Sequence, residues 1–122
     1  MNSMTKLLVT CILLLGTILM GVVLTKLGKP YNTALFTIHK FLALGFLVLT
    51  FMEIKAIVQA GGFSSMLIVC IVLLVVGIVG LFATGAMLSI GGFNVLLLRS
   101  IHIITMISLV AGFGLLVARF KL

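Results

Sequence analysis

Four apolar runs, each about the length of a bilayer crossing, follow one another along the chain, separated by short breaks. They cover roughly Thr5–Thr25, Thr33–Ile57, Ser65–Ile90 and Val95–Arg119. A helix rises 1.5 Å per residue, so about 20 apolar residues cross the ~30 Å hydrocarbon layer. The breaks carry turn residues. Lys26-Leu27-Gly28-Lys29-Pro30-Tyr31-Asn32 holds the only proline, Ala60-Gly61-Gly62 forms the second break, and Gly91-Gly92-Phe93-Asn94 the third. Breaks this short join neighbouring helices antiparallel. The pattern predicts an all-α integral membrane protein. Its four helices form an antiparallel up-down bundle, a single transmembrane domain over residues 1–122.

Composition supports lipid as the main solvent. Hydrophobic residues make up 64% of the chain and charged residues 7%, where soluble domains run nearer half apolar and about a quarter charged. The net charge of +7 raises nucleic acid as a partner, but a nucleic-acid face clusters its cations. Here Lys6, Lys26, Lys29, Lys55, Arg119 and Lys121 flank apolar runs, as membrane-anchoring cations do. The expected partner is the bilayer, with no nucleic acid. Cys11 and Cys70 lie inside apolar runs, where a bundle this apolar needs no disulfide. Leu8-Val9-Thr10-Cys11 is faintly similar to a lipoprotein cleavage site. The segment before it is too short for a signal peptide and the apolar run continues to Leu24, so a retained helix is expected.

Let side A be the face holding the N-terminus. Side A then carries Lys6, Lys55, Arg119 and Lys121, while side B carries Lys26 and Lys29 with Lys40 and Arg99 deeper. If the deeper pair is set aside as buried, side A is the more basic face. The positive-inside rule then puts both termini in the cytoplasm, and the expected location is a prokaryotic inner or plasma membrane.

The chemistry-bearing residues are His39 and His102, the only imidazoles in the chain. Each falls about six residues into its predicted helix, counted from side B. Ionisable or metal-binding groups inside a bilayer are costly and usually functional. An offset of 63 residues aligns His102 with His39, Leu98 with Leu35, Ser100 with Thr37, Ile101 with Ile38 and Gly91 with Gly28. The offset predicts an internal repeat of two helix pairs in parallel orientation. In a cyclic bundle the second and fourth helices are diagonal. Adjacent axes lie about 8–10 Å apart, so the diagonal gap suits two inward imidazoles with an iron between them.

Gly21 on the first helix and Thr84 on the third, with Gly85 beside it, are expected at the same depth as the histidines. Small residues there leave room for the rim of a flat macrocycle, as do the steps Thr17–Gly21 and Gly80–Thr84. The competing reading is close helix packing through small residues. His39, Ala43, Phe46 and Thr50 trace one face of the second helix; His102, Met106, Leu109 and Phe113 do so on the fourth. Phe36 and Phe46 are candidates to pack on the macrocycle. Arg99, one turn nearer side B than His102, and Lys40, next to His39, are candidates to pair with haem propionates. The alternative is that both cations anchor helix ends among lipid phosphates. Structural zinc wants four ligands and catalytic zinc three. No carboxylate stands near the histidines in sequence, and both cysteines lie toward side A. Haem needs only two axial ligands, and the absence of Cys-x-x-Cys-His excludes a covalent c-type link.

Thr37-Ile38-His39-Lys40-Phe41-Leu42-Ala43, Ala83-Thr84-Gly85-Ala86-Met87-Leu88 and Leu98-Arg99-Ser100-Ile101-His102 together resemble the membrane cytochrome b superfamily of four-helix haem proteins. A Thr-Gly step late in one helix, followed by a histidine early in the next, is similar to that family's pattern. The resemblance implies haem b, axial histidines at His39 and His102, and electron exchange with quinol or a partner subunit. Many members carry four ligand histidines and two haems. This chain has two histidines, so one haem near side B is expected.

The sequence thus predicts a b-type cytochrome with one haem b. Its cofactor-binding residues are His39, His102, Arg99, Lys40, Gly21 and Thr84. Quinone or quinol, a redox subunit, or a second copy of the chain are its candidate partners. Two alternatives stand beside it. One is a non-catalytic membrane subunit whose histidines only hydrogen-bond. The other is a small transporter using Glu53, the only acidic residue, which is otherwise a quinone-site proton acceptor or a partner for a neighbouring cation.

Overall fold

A computed structural model describes residues 2–120. Among the described residues all regular structure is α-helical: α1 (Ser3–Leu27), α2 (Thr33–Gln59), α3 (Ser65–Ile90) and α4 (Val95–Phe120). All four are long and apolar enough to cross a membrane. α3 has the limits expected from its apolar run. The other three extend by one or two residues, because capping rather than hydropathy sets the end.

Each helix opens on a polar side chain that satisfies an otherwise orphan amide. Asn2 Oδ1 accepts from the Thr5 amide at 2.7 Å, and Asn32 Oδ1 from the Leu35 amide at 3.1 Å. Ser64 Oγ accepts from the Leu67 amide at 3.3 Å, and Asn94 Oδ1 from the Leu97 amide at 3.1 Å. α1 and α3 close on the same device. Gly28 has φ 74° and ψ −170° and donates its amide to Leu24 O; Gly91 has φ 83° and ψ −171° and donates to Met87 O. That backbone region is essentially open to glycine alone. The two glycines stand 63 residues apart, so the offset read from the sequence also holds for backbone conformation.

The chain divides into two compact units, the first ending at Ala60 and the second beginning at Gly61. Each is a helical hairpin, α1 against α2 and α3 against α4. In the first hairpin leucine packs on glycine. A methyl on Gly45 would stand 3.2 Å from Leu13 Cδ1, and one on Gly16 3.4 Å from Leu42 Cδ1. The second hairpin is tighter. A Cβ on Gly77 would meet Leu109 Cβ at 2.6 Å and the Leu109 amide nitrogen at 2.8 Å, and one on Gly112 would meet Leu73 Cβ at 2.9 Å. Those glycines let the two backbones approach closely. Ser108 Oγ crosses the same interface to donate to Leu73 O at 3.0 Å.

Candidate functional site

His39 lies on α2 and faces α1 within the first hairpin. Its Nδ1 is 3.0 Å from the Thr17 carbonyl oxygen. A carbonyl can only accept, so Nδ1 carries the proton and donates. In the neutral ring Nε2 is then the nitrogen with the lone pair. Gly21, one turn beyond Thr17, makes the approach possible: a Cβ there would lie 3.3 Å from His39 Cε1 and 3.8 Å from Nδ1. Gly21, expected at the depth of the histidines, lies beside the imidazole.

His102 lies on α4 and faces α3 within the second hairpin. Its Nδ1 is 2.7 Å from Thr84 Oγ1, and Thr84 Oγ1 is 2.6 Å from the Gly80 carbonyl oxygen. The hydroxyl has one proton, and the short contact to an acceptor-only carbonyl places it there. Thr84 must therefore accept from His102 Nδ1–H, which again leaves Nε2 as the lone-pair nitrogen. A Cβ on Gly85 would meet His102 Cε1 at an ordinary 3.7 Å.

The two anchors are related by the 63-residue offset. Thr17 corresponds to Gly80, Gly21 to Thr84 and His39 to His102. The same backbone carbonyl holds the imidazole in each hairpin, directly in the first and through an inserted hydroxyl in the second. This correspondence is present in the sequence, but it acquires meaning only once both carbonyls are seen to be acceptors. Thr84 was expected to matter for its size; it acts through its oxygen.

The cations and aromatics take other positions. Lys40 is exposed, with its Nζ 4.2 Å from the Phe36 ring centroid. Phe36 stacks on Tyr31 at 6.0 Å, and Lys29 Nζ lies 5.8 Å over the Tyr31 ring. Lys29, Tyr31, Phe36 and Lys40 thus form a cation–aromatic ladder at the entrance to α2. Arg99 is half-buried in the first turns of α4. Gly80 gives Thr105 room as well as offering its carbonyl: a Cβ on Gly80 would collide with the Thr105 methyl. Phe46 is 3% exposed, a core side chain of α2.

One buried polar pair was not foreseen as such. Thr50 and Glu53, one turn apart on α2, are 2% and 5% exposed, and among the described residues Thr50 Oγ1 and Glu53 Oε1 have no hydrogen-bond partner. Thr10, Thr17, Thr84 and Thr105 each donate to the carbonyl four residues back; Thr50 does not. The sequence marks Glu53 as the lone acid and Thr50 only as a member of the His39 face, because a threonine on an apolar face gives no signal of its own. Among the described residues no group of three or more His, Cys, Asp or Glu side chains stands together.

Comparison with protein-family models, curated protein sequences and solved structures returned no match.

Proposed function

We propose that this protein is a small membrane b-type cytochrome. His39 and His102 would hold one haem b between them, and the haem would exchange single electrons with quinol or a partner protein. The supporting observation is the state of the two rings. Metal-binding histidines almost always donate their second ring N–H to a carbonyl, carboxylate or similar acceptor, which fixes tautomer and orientation. Both imidazoles here are held in that way, each within its own hairpin, with Nε2 as the nitrogen able to bind iron. The donor set fits as well. Two neutral imidazoles complete a six-coordinate haem, whereas a zinc site wants three or four protein ligands gathered together.

When bound, the haem supplies a reversible one-electron couple. The chain's own contribution is to orient the two imidazoles, each through its Nδ1–H donor. Gly21 leaves the ring of His39 uncrowded. Arg99, one turn before His102 on α4, would pair with a propionate and favour the reduced, more negative state.

A scaffold subunit is the second reading. The same Nδ1–H bonds would satisfy half-buried histidines in a protein with no cofactor. Optical spectra of the oxidised and dithionite-reduced protein, purified from haem-replete cells, separate the two. A cytochrome is red and shows a low-spin b-type spectrum. His39→Ala and His102→Ala each abolish the low-spin form, which tests that both rings reach one iron. A colourless wild-type preparation refutes the proposal.

A further inference from the structure

We infer that Thr84 is the positioning residue for His102, and that the two histidines are held by anchors of different kinds. The anchor of His39 is main chain: the Thr17 carbonyl survives whatever side chain residue 17 carries. The anchor of His102 is a side chain, so one substitution removes it. Thr84 spends its proton on Gly80 O at 2.6 Å, with a longer approach to Leu81 O at 3.4 Å, and presents a lone pair to His102 Nδ1 at 2.7 Å. Thr17 makes the equivalent bond along its own helix, to Leu13 O at 2.7 Å, but its hydroxyl is not what holds His39.

The two solutions are not interchangeable. In the first hairpin the position matching Thr84 is Gly21, where even a bare Cβ stands 3.3 Å from His39 Cε1. A threonine there would displace the ring from its carbonyl. In the second hairpin the hydroxyl acts as a spacer, setting the imidazole one oxygen further from the matching carbonyl. Removing it takes away the oxygen to which Nδ1–H donates, and a donor that loses its acceptor is penalised. A neutral imidazole escapes that penalty by moving its proton to Nε2. Nε2 then no longer offers a lone pair to iron.

The inference about tautomer stands apart from the cytochrome reading; its consequence for ligation rests on it. The test uses the full-length chain in detergent micelles, ¹⁵N-labelled at histidine and free of haem, so that each ring reports which nitrogen is protonated. In the wild type and in Thr84→Ser, His102 shows the Nδ1–H tautomer. In Thr84→Val and the smaller Thr84→Ala it shifts toward Nε2–H, while the His39 signals stay fixed and report an intact first hairpin. Thr17→Ala moves neither ring. A wild-type His102 already protonated on Nε2, or a tautomer unchanged in both Thr84→Val and Thr84→Ala, overturns the inference.

Haem titration of the same samples supplies the second readout. Loss of an outer-shell partner typically weakens metal binding roughly 10–100-fold, expected for Thr84→Val and Thr84→Ala and restored in Thr84→Ser. A shifted tautomer with undiminished haem affinity overturns the positioning role. Failure of the wild type to bind haem refutes the cytochrome reading and leaves the tautomer result standing.

Discussion

Adding one methyl group at Gly80 should damage both the second hairpin and the anchor of His102. The new Cβ would collide with the Thr105 methyl and stand 2.9 Å from Thr105 Cβ, where carbon atoms prefer about 3.5–4.0 Å. Rotating Thr105 does not relieve the contact, because its Cβ is fixed to the backbone. Its Oγ1 is also committed to the carbonyls of Ile101 and His102, both at 3.0 Å. The helices must part locally by about 1 Å to restore normal separation. The same displacement would stretch the 2.7 Å bond between Thr84 and His102 beyond hydrogen-bond range.

The terms can be combined. Overpacking costs about 1–3 kcal/mol, and the lost hydrogen bond about 1 kcal/mol. The better helix propensity of alanine returns up to about 1 kcal/mol. The net expectation for Gly80→Ala is a loss of about 1–3 kcal/mol. Gly16→Ala is the control: its methyl meets Leu42 Cδ1 at 3.4 Å, so the propensity gain of up to about 1 kcal/mol dominates. Reversible unfolding in mixed micelles, followed by circular dichroism as denaturing detergent is raised, measures both. Gly80→Ala as stable as Gly16→Ala would refute the close-packing account of the second hairpin.

Three further outcomes follow from the site. Arg99→Gln should lower the midpoint potential of the bound haem in a redox titration, whereas Lys40→Gln should shift it less, because the Lys40 ammonium lies over the Phe36 ring; equal shifts would contradict that assignment. The same Lys40→Gln change should cost about 0.5–1 kcal/mol in the detergent unfolding assay through the lost cation–π contact. Glu53→Met replaces a buried carboxyl whose Oε1 lacks a hydrogen-bond partner among the described residues; it should stabilise the protein by about 1–3 kcal/mol, and a loss of stability would reveal an interaction that the carboxyl makes.

The helices were legible because apolar runs of this length have one economical solution in lipid. α3 was delimited in full by its apolar run, which the break beginning at Gly91 closes. α1 begins earlier than its apolar run because Asn2 caps it, and α2 ends later because Gln59 closes the last turn despite its polarity. The histidines stood out for being rare and costly. Their anchors did not. Every residue has a carbonyl, so nothing in the letters marks that of Thr17 as an acceptor; only helix register selects it. Thr84 was noticed for its small size, not for its oxygen, and of the two readings of the Gly80–Thr84 step, a cofactor rim or close packing, the contact between Gly80 and Thr105 is one of packing. Lys40 was judged by its distance along the chain from His39, while a nearby aromatic face gave its ammonium a closer resting place.

The elbows at Gly28 and Gly91 carry a stereochemical consequence. Their φ and ψ, 74° and −170° in one and 83° and −171° in the other, are the mirror image of the extended region that ordinary residues favour. A right-handed amino acid would be at ease there. In a hairpin made by chemical ligation, D-alanine at either elbow should fit without strain, and should gain about 0.4–1 kcal/mol by narrowing the choices open to the unfolded chain. L-alanine at the same place would be penalised. Chirality, rather than size, decides what these two corners accept.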